Sequence, residues 1–154
     1  MISDEKLQEL LNTLCVNETE GFDLGILCSS VASIKLRDAS VVPPSARTVD
    51  VIKLLQTSQR GAVVIMTSEI VGIFTERDLV KKFFDLKLDD PIKKHMTSPV
   101  KTVSPTDPLV YALTLMSQGG FRHLPVLQDN VLLGVISVRD ILDFISQKIL
   151  GLVT

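Results

Sequence analysis

The sequence predicts a mixed α+β (α/β) fold: two tandem repeats of β-α-β-β-α order packed as a pseudo-symmetric pair, with an added N-terminal helix. Three observations predict it. The stretch Gly72 to Asp78, Gly-Ile-Phe-Thr-Glu-Arg-Asp, returns from Gly134 to Asp140 as Gly-Val-Ile-Ser-Val-Arg-Asp, and self-similarity at a fixed spacing signals equivalent supersecondary units. The apolar runs and turn residues around the two copies fall in the same order. The chain of 154 residues is 45% hydrophobic but only 5% aromatic and lacks Trp, so its core must be built from Val, Ile and Leu, which suit strands. Units of roughly sixty residues bury only a modest share of their surface. The two are therefore expected to share a core with each other or with a second chain.

The expected boundaries are 1–23 for the N-terminal helix and linker, 24–88 for the first repeat and 89–154 for the second. Residues 3 to 15 read as a helix: Ser3 is the N-cap, Asp4 and Glu5 fill the first turn, and Ile2 can staple onto Leu7. Its stripe of Leu7, Leu10, Leu11 and Leu14 is expected to pack on its own domain or a dimer mate. Asn17 to Asp23 reads as a connection. Leu24 to Leu36, interrupted by Ser29, Ser30 and Ser33, leaves helix and strand both open.

In the first repeat, Ser40 to Val42 reads as a strand stopped by Pro43-Pro44, followed by a helix capped by Ser45 with Val49, Ile52 and Leu55 on one face. Gly61 ends it. Ala62 to Met66 and Ile70 to Phe74 form a hairpin around Thr67-Ser68-Glu69, and Thr75 opens a helix through Leu79, Val80, Phe83 and Phe84. After a linker around Lys87 to Pro91 the order recurs: strand Val100 to Val103, then a helix with Asp107 as N-cap and Pro108 at its first position, with Val110, Leu113 and Leu115-Met116 on its apolar face. A hairpin of His123 to Leu127 and Val131 to Ile136 turns at Gln128-Asp129-Asn130. Ser137 then starts the closing helix through Ile141, Leu142, Ile145 and Ile149.

Composition narrows the function. The formal net charge is −2 with no basic run beyond Lys81-Lys82 and Lys93-Lys94, so the footprint of a nucleic-acid binder is missing. No apolar run approaches the roughly 18 residues of a membrane span, and Met1 to Glu5 has no basic leader; the expected location is cytoplasmic. Cys15 and Cys28 stand in no metal-ligand spacing with His95 and His123, so no metal is expected and the two are read as free thiols. With no G-x-G-x-x-G, P-loop or nucleophile elbow, an enzyme is not expected.

The repeated motif admits a purely structural role. Thr75 with Asp78, and Ser137 with Asp140, have the spacing of a capping box. A capping box needs neither Gly72 and Gly134 before it nor Arg77 and Arg139 beside the acid. A strand end leading into a helix start favours anions. There a carboxylate can accept two hydrogen bonds from a vicinal diol while an arginine forks onto phosphate. Diol and phosphate together describe a nucleotide.

On these residues the chain, from about 30 to 149, resembles a tandem pair of cystathionine beta-synthase (CBS) domains. The second repeat carries the family's motif in Gly134, Ser137, Val138 and Asp140, and its strand pattern in Val100, Thr102, Val103 and Ser104. The first keeps Gly72, Thr75 and Asp78 but has Glu76 at a usually apolar position and Val41 in the threonine slot. The resemblance implies that Asp140 and Asp78 bind ribose hydroxyls beside Ser137 and Thr75. It implies that backbone near Thr102 and Val103 contacts adenine, and that Arg122 and His123 reach phosphates, with Arg60 nearest to that place in the first repeat. His95 reads as a surface position in the linker. The expected ligand is an adenine nucleotide (AMP, ADP or ATP) or S-adenosylmethionine, held by a stand-alone regulatory module that forms a homodimer. The alternative is a ligand-free dimeric scaffold for an unidentified protein partner.

Overall fold

The computed structural model describes residues 3–9 and 25–151. Helix α1 covers residues 4–9, where the description stops, and Leu7 N–H donates to the Ser3 carbonyl at 2.9 Å. Ile2, Leu10, Leu11, Leu14, Cys15 and the 17–23 connection lie outside the described residues. The stretch left open between helix and strand resolves into a single helical turn, α2 (Gly25–Cys28), and a 3-10 turn (Val31–Ser33). Cys28 is not a free thiol as expected: its sulfur is in a disulfide.

The first repeat contains β1 (Ser40–Val42), α3 (Thr48–Ser58), β2 (Ala62–Met66), β3 (Ile70–Thr75) and α4 (Glu76–Lys81). Strand β2 is central, parallel to β1 and antiparallel to β3, and all but its last residue are buried. Helix α3 is capped from Arg47, not from Ser45. The chain is still turning there, with Ala46 N–H bonded to the Pro43 carbonyl at 3.0 Å. Its buried face is Thr48, Val51 and Leu55. Helix α4 stops at Lys81, so Phe83 and Phe84 lie past its end and are exposed, Phe84 at 98%.

The second repeat contains α5 (Leu109–Gly119), β4 (His123–Gln128), β5 (Val131–Ser137) and α6 (Val138–Ile149). The expected strand over Val100 to Val103 reduces to one parallel bridge, Val103 to Val126. Helix α5 begins one residue later than the sequence suggests, with Pro108 as its N-cap. The Asp107 carboxylate instead accepts Ser104 N–H at 2.7 Å, holding the loop before the helix. The β4–β5 turn has positive φ at Asp129 (50°) and Asn130 (63°), the conformation a tight hairpin requires and these residues tolerate.

The two cores are each completed by chain from before the other repeat's strands. Val31, at 0% exposure, joins the core of Leu109, Leu124, Ile136 and Ile141, with Val31 N–H bonded to the Asp107 carbonyl and Leu109 N–H to the Ser29 carbonyl. Reciprocally Ile92, also at 0%, joins Val51, Leu55, Val63, Ile65 and Phe74. His95, read as a surface residue, is buried, because the 87–97 segment folds onto the first repeat: Thr48 N–H bonds to the Asp90 carbonyl and Ile92 N–H to the Ala46 carbonyl. Ile92→Ala is expected to destabilise by about 2–5 kcal/mol, as for large-to-small changes in a packed core. Because that side chain links both repeats, chemical denaturation followed at probes in each should show one coincident transition shifted to lower denaturant.

Candidate functional site

Both copies of the motif form complete capping boxes. Asp140 Oδ2 accepts Ser137 N–H at 2.8 Å and Ser137 Oγ–H at 2.7 Å, and Asp140 N–H returns to Ser137 Oγ at 3.2 Å. Asp78 Oδ2 accepts Thr75 N–H at 3.0 Å and Thr75 Oγ1–H at 2.8 Å. In each box one carboxylate oxygen is used by the cap and the other faces outward. The two outward oxygens meet different surroundings.

Asp140 Oδ1 forms an ion pair with Arg37 Nη2 at 2.9 Å; the Asp140 side chain is 10% exposed and that of Arg37 51%. Arg37 arrives there because the segment leading to β1 crosses β5: Val135 N–H donates to the Arg37 carbonyl at 3.1 Å. That crossing requires Gly134, since a Cβ there would stand 2.6 Å from the Arg37 carbonyl oxygen. Around the pair, Ser137, Asp140, His123, Arg60, Ala62 and residues 37–39 line one cavity. An adjoining cleft of about 440 Å³ brings in Arg122, Arg139, Gly61 and Glu76. Another of about 570 Å³ lies beside Lys35, Ser58, Gln59 and Arg60. These two open clefts lie within the usual range for small-molecule sites, whereas the cavity at the ion pair itself holds only about 20 Å³.

Asp78 Oδ1 instead accepts Thr97 Oγ1–H at 2.6 Å and pairs with Lys82 Nζ at 3.2 Å. Here the segment leading into the second repeat crosses β3, with mutual backbone bonds between Ile73 and Thr97. Met96 packs over Gly72, its Cγ 2.7 Å from where a Cβ would be. Burial acts to raise the Asp78 pKa, but the hydrogen bonds from Thr97, Thr75 and Lys82 outweigh it and hold the carboxyl below its ordinary value.

His123 lies at the start of β4 against the other repeat; a Cβ on Gly61 would come within 2.9 Å of its Nε2. Burial lowers its pKa, opposed by the carboxylates of Asp140 and Glu76 and reinforced by Arg122 and Arg37. The imidazole is therefore neutral near pH 7.

The structure thus places Ser137, Asp140 and His123 on one cavity and Ser137, His123, Arg122 and Arg139 on the cleft adjoining it. Gly72, Thr75 and Asp78 gather around Thr97 and Lys82, while Arg77 lies over Gly120 at the end of α5, its Nη1 3.4 Å from a Cβ built there. Thr102 and Val103 stand elsewhere: Val103 bonds along β4 on the side away from β5, with Val103 N–H to the Pro125 carbonyl and Leu127 N–H to the Val103 carbonyl. Val41, on β1, is 47% exposed. The chain beside Asp140 is residues 37–39. Sequence reasoning missed Arg37, which carries no local pattern: it reaches Asp140 only because it crosses Val135 as Thr97 crosses Ile73.

The fold and cleft define two interlocked α+β repeats with a repeated strand-to-helix motif at their junction. The chain belongs to the CBS domain family, whose model matches residues 31–85 and 92–147. It is 35% identical over 118 residues to an uncharacterised 17.7 kDa protein of Acidianus ambivalens, covering 75% of this chain and 72% of that one. Among solved structures it is similar to a CBS domain protein of Pyrobaculum aerophilum complexed with AMP, at 26% identity and TM-score 0.66, covering 76% of this chain and 98% of that one. It also shares its fold with the CBS domain pair of protein MJ0100, solved with 5′-methylthioadenosine and S-adenosylmethionine, at 21% identity and TM-score 0.71, covering 79% and 98%. Among the described residues no helix is long and apolar enough to cross a membrane, and no cluster of three or more metal-binding side chains occurs.

The two glycines offer a direct comparison. Gly134→Ala collides with backbone and should cost about 1–3 kcal/mol, as for overpacking. Gly72→Ala meets side-chain atoms of Met96, as far back as Cγ at 2.7 Å and Cβ at 3.1 Å, and should cost less because a side chain repacks more readily than backbone shifts; urea denaturation of the two variants measures the difference.

Proposed function

We propose that the chain is a regulatory module that binds an adenosine-containing ligand at the Asp140 cleft and, on binding, changes how its copies or a partner associate. The observation that carries this reading is the outward oxygen of Asp140 beside Ser137, at the edge of a cleft lined by Arg37, Arg60, Arg122, Arg139 and His123. A carboxylate is suited to a ribose diol, and guanidinium groups to phosphate. The AMP-bound relative supports the same ligand class. Residues 37–39 line the cavity with Asp140 and are the candidates for adenine contact, with Thr102, Val103 and Val41 as the alternatives suggested by the family pattern. Binding would act by shifting populations, limited to the ligand's differential affinity for the two states.

A homodimer is the assembly we favour. Val80 on α4 with Phe83, Phe84 and Leu88 after it, and Leu142 and Ile149 on α6 with Leu150 after it, are exposed apolar side chains. Burying such groups is favourable. The same face favours the second reading, a scaffold that holds another protein without a small molecule.

Thermal unfolding against AMP, ADP, ATP and S-adenosylmethionine tests the ligand. At about a hundred times Kd, mass action adds roughly 2.7 kcal/mol, several degrees for a chain of this length. The shift should vanish in Asp140→Ala and in Asp140→Asn, the second retaining a side-chain acceptor for the cap. No shift with any ligand, in folded protein free of carried-over nucleotide, leaves the scaffold reading.

His123 adds a pH signature. It is neutral in the free protein, and a phosphate placed beside it raises its pKa, so binding takes up a proton and affinity rises as pH falls from about 8 toward 6. Calorimetry in buffers of different ionisation enthalpy should detect that proton, and His123→Gln should abolish it.

A further inference from the structure

We infer that Arg37 makes the Asp140 site selective for phosphate-bearing ligands, standing on the carboxylate oxygen of Asp140 when the site is empty and turning onto phosphate when it is filled. This rests on the adenosine reading of the cleft. Asp140 has one oxygen committed to its cap, and the guanidinium of Arg37 covers the other at 2.9 Å. A ribose diol that approaches Asp140 therefore competes with a residue of the chain itself.

The position suits a pivoting side chain. Its backbone is fixed by the bond from Val135 N–H to the Arg37 carbonyl, whereas the side chain is half exposed. Arg37 also borders all three cavities at the junction, including the one lined by Arg122 and Arg139. A rotation about its own side-chain torsions moves the guanidinium from the carboxylate into the cleft without disturbing the strand crossing.

The energetics separate ligands by charge. Displacing Arg37 removes a charge-assisted bond from a carboxylate that is mostly buried, and two neutral hydroxyls replace it less strongly. A nucleoside without phosphate gives the displaced guanidinium nothing in return. A nucleotide gives it a bidentate anionic partner. A sulfonium ligand places a like charge among Arg37, Arg60, Arg122 and Arg139. The first-repeat counterpart differs in kind: Asp78 is held by Thr97 and Lys82, with Met96 packed over Gly72, so its outward oxygen has no exposed arginine to release.

The test compares AMP, adenosine and S-adenosylmethionine by calorimetry on the full chain and on Arg37→Met, which keeps the stem, with Arg37→Ala as a second variant. The native chain should bind AMP on the order of tenfold or more tighter than adenosine, the scale of one charge-assisted pair, with S-adenosylmethionine no tighter than adenosine. In both variants adenosine should bind more tightly than to the native chain, because its competitor is gone, and the preference for AMP should shrink. Arg60→Met, which removes a cleft cation that does not touch Asp140, should weaken AMP without tightening adenosine. If AMP binds and Asp140→Asn abolishes it, but the Arg37 variants leave the AMP-to-adenosine ratio unchanged or weaken both ligands equally, this inference falls while the nucleotide reading stands. If none of the three ligands binds the native chain, both fall.

Discussion

The exchange of leading segments between repeats is the constraint on which the rest of the molecule depends. Val31 precedes the first repeat's strands yet is buried in the second repeat's core, and Ile92 does the reverse. Neither half has a closed core without the other, as the small size of each demands. The exchange also sets the site, because a segment crossing from one core to the other must pass the last strand of the repeat it leaves. Arg37 passes β5 and Thr97 passes β3 at equivalent places. Each crossing falls beside a Gly that opens the motif, and each brings a foreign side chain to the motif's acid.

That geometry reconciles the two readings of the Ser/Thr-x-x-Asp pattern. The capping box forms in both repeats and occupies one carboxylate oxygen in each. It leaves the second oxygen outside the cap, so the capping role does not use up the carboxylate. What fills the second oxygen is decided by the crossing segment, which lies outside the motif. With Thr97 and Lys82, Asp78 has two donors on its second oxygen and a lowered pKa; with Arg37, Asp140 has one half-exposed cation on the rim of a cleft.

Much of this was legible in the sequence because it is local. The hairpins, both capping boxes and the helix-terminal motif follow from residues within a few positions of one another. The errors arose where distant chain intervenes. His95 has no local reason to be buried; it is buried because the linker returns to α3. The α3 cap moves from Ser45 to Arg47, where residues 88–90 supply bonds to the first turn. Phe83 and Phe84 continued an apolar pattern that the helix does not follow, and an exposed apolar end reads in sequence like a buried one. At the site, Asp140, Ser137, Arg122, His123 and Arg139 were recoverable from motif and strand position. Arg37 was not, since it carries no pattern of its own and gains its place from the crossing.

Duplication explains why one of two equivalent acids can serve the fold while the other faces a cleft. A single carboxylate with an outward oxygen carries a desolvation cost that some donor must offset. Thr97 and Lys82 offset it with two donors, a hydroxyl from the crossing segment and an ammonium one turn along the same helix. Arg37 offsets it from a side chain that is half exposed, as one charged partner on the rim of a cleft. The difference between the copies therefore lies less in the acid, which both retain, than in the identity of its second partner. Gly72 and Gly134 record the same division: the crossing segment packs the Met96 side chain against one and brings the Arg37 backbone against the other.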